Sequence, residues 1–162
     1  MSETSRENEA SIESVESLLE RELKIPEYQR PYKWDTRNIE ALLSDVLNAT
    51  DEVRLYPDFR YRIGTVLLRR DNGDVYDIVD GQQRILSLAL LRLALESLSE
   101  SASSITYPIL RQRFLEKTTQ RNLRENYRFC KAWLSRKGRD VQEKLRVAYE
   151  GLLEVVVIRV ST

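Results

Sequence analysis

The sequence predicts an α+β domain: a small mixed sheet around one buried helix, with further helices beside it. Three observations carry this. An Asn72-Gly73 pair separates two β-rich runs, 61–68 and 75–79, and Asn-Gly between such runs is the strongest short hairpin signal. The stretch 82–98 (Ile85, Leu86, Leu88, Leu90, Leu91, Leu93, Leu95) is apolar nearly all round, as in a helix at a domain centre. Beyond it, residues 108–150 place apolar residues at helical spacing on a basic background. A length of 162 residues suits one domain with a sizeable core, so 1–162 read as a single domain with 99–150 as a helical subregion.

Taken in order, residues 8–20 predict a first helix, because Ile12, Val15, Leu18 and Leu19 form a stripe at helical spacing. Residues 23–34 hold two prolines and should be extended. Asp35 or Thr36 can cap a helix over 37–49 that turns Ile39, Leu42, Leu43, Val46 and Leu47 inward. The hairpin follows, 61–68 and 75–79 joined by Asp71-Asn72-Gly73-Asp74. Ser99–Ser104 is a loop. Basic helices are expected over 108–117, 120–136 and 140–150, the middle one with Leu123, Tyr127, Cys130 and Leu134 inward. Val155-Val156-Val157-Ile158 lacks alternation and reads as a strand buried on both faces. The sequence stops at Thr162 soon afterwards, which suggests a fragment of a longer protein.

Composition excludes several kinds of chemistry. Histidine is absent, so there is no Ser-His-Asp triad, no His-based zinc site and no His-dependent nuclease centre in these residues. Cys130 is the only cysteine, which excludes an internal disulfide and a Cys-based metal site. No apolar run is long enough to span a membrane, and the first residues lack the pattern of a signal peptide. A cytoplasmic protein is expected. Zero formal net charge hides an asymmetry: residues 1–25 hold seven acids and three bases, whereas 111–146 hold twelve bases and four acids. Such a basic segment points to polyanion contact, DNA among the candidates, or equally to a solvated helical face.

Chemistry concentrates in Asp80-Gly81-Gln82-Gln83-Arg84, where a strand turns into the apolar helix. A helix start carries unpaired N–H donors and partial positive charge. Arg84 there opposes the macrodipole and asks for an anion, phosphate above all. Gly81 lets the backbone approach a ligand. Asp80 can cap the helix or hold a hydrated Mg²⁺. Gln82 and Gln83 can orient a water or read a base edge. Local spacing supports this and a plain capped helix, with Arg84 paired to a surface acid, about equally. In Tyr28-Gln29-Arg30-Pro31-Tyr32-Lys33-Trp34, aromatics alternate with long polar side chains. Tyr28, Tyr32 or Trp34 can stack on a base while the interleaved Arg30 and Lys33 neutralise phosphate, although the aromatics by themselves favour core cover. Gly64, inside a strand pattern, marks a bulge or a close backbone approach.

The order Ile25-Pro26-x-Tyr28-Gln29-Arg30-x-Tyr32-x-Trp34, Ile63-Gly64-Thr65-Val66, Asp77-Ile78-Val79-Asp80-Gly81-Gln82-Gln83-Arg84 resembles the N-terminal domain of GmrSD-type modification-dependent restriction enzymes. The resemblance spans residues 12–98 and extends loosely into the basic helices. It implies a core similar to ParB and sulfiredoxin. It also implies a nucleoside-triphosphate site, with hydrolysis coupled to DNA recognition or cleavage in anti-phage defence. The matching positions are Gln29, Arg30, Asp80, Gly81, Gln82, Gln83 and Arg84. On that basis Arg30 and Arg84 hold phosphates, Asp80 holds Mg²⁺ or orients a water, and Gln83 positions the attacking water. Tyr28, Tyr32 and Gly64 complete the nucleotide site. Two family features are absent: a Phe-Glu-x-x-Asn-x-x-Gly segment past the last strand, and a His-containing C-terminal nuclease domain. A C-terminal nuclease or effector domain is therefore an expected partner, and a homo-oligomer an expected assembly. The alternative is a module that grips DNA or phosphate without turnover.

Overall fold

The structure, a computed structural model, describes residues 9–26, 30–99 and 107–160. In chain order its elements are β1 (Glu9–Ser14), α1 (Val15–Leu19), β2 (Leu23–Lys24), α2 (Thr36–Leu55), β3 (Tyr61–Asn72), β4 (Val75–Asp80), α3 (Gln82–Ser97), α4 (Pro108–Arg111), α5 (Lys117–Lys137), α6 (Arg139–Gly151) and β5 (Leu153–Val160). The α+β expectation holds.

The first expected helix is half strand. Residues 9–14 pair antiparallel with β5, Glu9 opposite Arg159 and Ser14 opposite Glu154. Ile12, assigned to the helical stripe, is 51% exposed on that strand. The helix begins only where Ser14 Oγ accepts from Ser17 N at 3.1 Å, and Val15, Leu18 and Leu19 are its buried face. Pairing across the sheet has overridden a local periodicity.

The five strands lie in the order β1-β5-β3-β4-β2. β5 runs parallel to β3 and antiparallel to β1; β4 runs antiparallel to β3 and parallel to β2. β5 does alternate, contrary to expectation: Leu153, Val155 and Val157 are buried, and Glu154, Val156 and Ile158 are half-covered. One face of this interior strand meets the core, so an unbroken apolar run did not signal two covered faces. β3 carries a register shift between Arg62 and Gly64 where it pairs with β5, a bulge at the glycine.

α3 is the hub, touching α1, α4, α5 and α6. Its burial includes two charged residues. Arg92 contacts Glu16 at 3.2 Å and Glu96 at 3.1 Å, and Tyr107 Oη donates to Glu16 at 2.8 Å. This paired cluster joins α1, α3 and the start of α4, and nothing in the local sequence announced it. Glu13 is held by Arg21 and Arg159. Two acids of the acidic first segment are thus paired with bases of α3, β5 and their own segment.

α2 starts on Asp35, whose carboxylate accepts from Arg37 N and Asn38 N, and it runs to Leu55, past the expected end. α4 is shorter than expected. Gln112 leaves the helix and brackets Ile25, accepting from its N at 2.8 Å and donating to its carbonyl at 2.6 Å. α5 and α6 match the two remaining expected helices. Of the expected 99–104 loop, all but Ser99 lies outside the described residues. No helix among the described residues is long and apolar enough to cross a membrane.

Candidate functional site

β4 ends at Asp80, and the chain turns at once into α3. Gly81 makes that turn at φ +100°, in the left-handed region that side chains resist. A Cβ there would also lie 3.3 Å from the Thr65 carbonyl oxygen. No side chain caps α3, and its first turn contains no acid. The N–H groups of that turn have no intrahelical partner.

Facing this turn is an extended strap, residues 30–34, tied down from two sides. Gln83 Oε1 accepts from Lys33 N at 2.8 Å and Trp34 N at 3.2 Å, while its Nε2 donates to the Pro31 carbonyl at 3.2 Å. From α5, Asn122 donates to the Tyr32 carbonyl at 2.9 Å, and Asn126 donates to Tyr32 Oη and to the Trp34 carbonyl at 2.9 and 2.8 Å. Thr119 Oγ1 accepts from Tyr32 N at 2.9 Å. An extended strap cannot satisfy its own backbone, and these amides and the hydroxyl do so for it.

Between strap and turn lies an open cleft of about 480 Å³, lined by Arg30, Lys33, Trp34, Asp80, Gly81, Gln82, Gln83 and Arg84, with Pro31 and Thr65. Three cations and one carboxylate face it. Arg30, Lys33, Asp80 and Arg84 are all exposed. The Asp80 side chain makes no hydrogen bond or ion pair among the described residues. Among the described residues no three or more acids, cysteines or histidines are grouped so as to hold a metal ion by themselves.

Arg84 is fixed by neutral groups. One terminal nitrogen donates to the Ile63 carbonyl at 2.9 Å, and the guanidinium carbon lies 5.9 Å from the Trp34 ring centroid. A Cβ on Gly64 would come within 2.5 Å of that nitrogen, so the missing side chain is the seat of the guanidinium. Among the described residues no carboxylate forms an ion pair with Arg84. The surface-acid partner considered from spacing is not found among the described residues. On its other side Arg84 borders a smaller hollow that includes Asp45 and Tyr61.

The expected residues separate into groups. Arg30, Asp80, Gly81, Gln82 and Arg84 line one cleft, as does Gln83. The Gln83 amide, however, is engaged at both ends in holding the strap, so it is not the free group expected to position a water. The Gln82 amide donates to the Ile78 and Val79 carbonyls at 3.1 Å each, which secures the end of β4. Gly64 accommodates Arg84, at a bulge and a close approach together. Tyr32 is corrected: it is 1% exposed and its hydroxyl lies 2.6 Å from Ser87 Oγ, so its ring cannot stack on a base. Burial pushes that hydroxyl up to about 12. Tyr28 and Gln29 lie outside the described residues. Lys33 was read only as part of the basic and aromatic segment, without a place in the site, and the Asn122–Asn126 pair was missed. Lys33 stood in plain view between two aromatics, whereas the asparagines become meaningful only when α5 crosses the strap.

The model of the family described as the GmrSD restriction endonuclease, N-terminal domain, matches residues 14–161. The match covers nearly the whole chain, and the chain belongs to that family. No curated protein matches it.

Proposed function

We propose that this GmrSD-family domain binds a nucleoside triphosphate in the cleft between strap and turn. It would serve as the nucleotide-binding and hydrolysing module of a modification-dependent restriction system, coupling the triphosphate to DNA recognition or cleavage in anti-phage defence. The observation that carries the reading is Arg84: a preset guanidinium at an uncapped helix start, with no carboxylate partner among the described residues. Such a group, with Arg30 and Lys33 across the cleft, fits a polyphosphate.

In this reading Arg84, Arg30 and Lys33 hold phosphate oxygens, and the free N–H groups after Gly81 add donors. Asp80 fits Mg²⁺, which takes one or two carboxylates and completes its shell with water and substrate phosphate. The ion would neutralise charge on the phosphates. Gln82 keeps its amide oxygen to accept from a water, the role Gln83 cannot fill. Trp34 offers the aromatic surface that buried Tyr32 does not, and Tyr28 and Gln29 belong to the same site. The core is ParB- and sulfiredoxin-like, the setting is the cytoplasm, and the partners are a C-terminal nuclease or effector domain and further copies of the chain.

The engagement of Gln83 favours a second reading, in which the cleft grips DNA phosphate or nucleotide without turnover. Phosphate release with Mg²⁺ separates the two. For the shared claim, Arg84→Ala should weaken triphosphate binding by about 1.5–3 kcal/mol with the melting temperature nearly unchanged. Calorimetric titration of both proteins measures it. Equal affinities would remove Arg84 from the site.

A further inference from the structure

α5 presents two different faces. At about 100° per residue, Lys117, Arg121, Arg124, Arg128 and Lys131 fall within an arc of about 80° and span about 21 Å of helix. The only acid of the helix, Glu125, lies beside that stripe rather than on it. The first four bases are exposed and Lys131 is half-exposed. None of the five forms an ion pair with a carboxylate among the described residues. The opposite face is buried and holds the strap.

We infer that this stripe is a track for the phosphate backbone of duplex DNA, outside the triphosphate cleft. A net-neutral chain has gathered in one line five bases without a carboxylate partner among the described residues, which complements a regular row of phosphates. A membrane surface fits worse, because a helix lying on lipid buries an apolar face there. The apolar face of α5, with Cys130, Trp133 and Leu134, is already in the core. Only the choice of DNA over RNA rests on the proposed function.

The test is anisotropy of a labelled DNA duplex with the full chain and its Arg121→Gln/Arg124→Gln/Arg128→Gln variant. All three side chains are exposed, and circular dichroism checks that the variant folds. With five contacts, affinity should fall about 500-fold between 50 and 200 mM salt; with two left, about 12-fold. Equal affinity and salt dependence in the two proteins would overturn the inference. So would absence of duplex binding at the lowest salt, or a preference for phosphatidylserine vesicles or duplex RNA lost in the same variant. Arg84→Ala serves as the second control. Duplex binding that follows the stripe while no triphosphate binds refutes the cleft and leaves the track. Triphosphate binding without duplex binding does the reverse.

Discussion

At the scale of single residues, the site depends on what is absent as much as on what is present. Gly64 is the clearest case. A methyl group there would come within 2.5 Å of the Arg84 guanidinium, which sits at the flexible end of a long side chain. Gly64→Ala should therefore leave the fold in place and move Arg84 off the Ile63 carbonyl. Triphosphate affinity should drop about tenfold, the scale of one misplaced charge-assisted hydrogen bond. Titration alongside a melting curve checks this; unchanged affinity would mean that the seat does not matter. Gly81 differs, because at φ +100° its replacement strains backbone against the Thr65 carbonyl and should lower stability itself.

Among elements, the strap and α5 act as a pair. Asn126 is 1% exposed and supports both Tyr32 Oη and the Trp34 carbonyl. Asn126→Ala should cost about 1–3 kcal/mol of stability, because the Trp34 carbonyl loses its donor. It should also weaken triphosphate binding through a loosened strap, although Asn126 does not line the cleft. Denaturant melts and titration read the two effects separately; a stability loss with full affinity would make Asn126 purely structural. The same pair shows how legibility falls with sequence distance. The turn at Gly81 and helix α3 were readable because a glycine, a strand and an apolar run adjoin in the chain. The use of Gln83 was not, since its partners Pro31, Lys33 and Trp34 lie about 50 residues away. β1 was misread for a related reason: its strand state is set by β5, at the other end of the sequence, against a local helical stripe. Tyr32 entered the expected site through the resemblance, although its aromatic segment also favoured core cover, and α5 and α3 together bury it.

For the whole molecule, the buried titratable groups set the response to pH. Burial raises Tyr32 from 10 to about 12 and Cys130 from 9 to about 12, and it also raises Tyr107 and Tyr149. Each native group keeps a proton that the unfolded chain releases, so this contribution is complete below about pH 9. It is lost as pH rises towards 12. With no histidine in the chain, stability should be flat through neutrality and fall steeply on the alkaline side. Denaturant midpoints from pH 7 to 11 would show it; a constant midpoint up to pH 11 would contradict the burial of these groups.

The claim that the cleft takes a triphosphate is open to one direct measurement, the melting temperature of the chain titrated with nucleoside triphosphates and Mg²⁺. At about 100 times the dissociation constant, a bound ligand adds about 2.7 kcal/mol, or a rise of about 5–10 °C for a chain of this size. That rise is expected in the native chain, with a much smaller one in Arg84→Ala at the same concentration. No rise with any triphosphate, or an equal rise in both proteins, would contradict it.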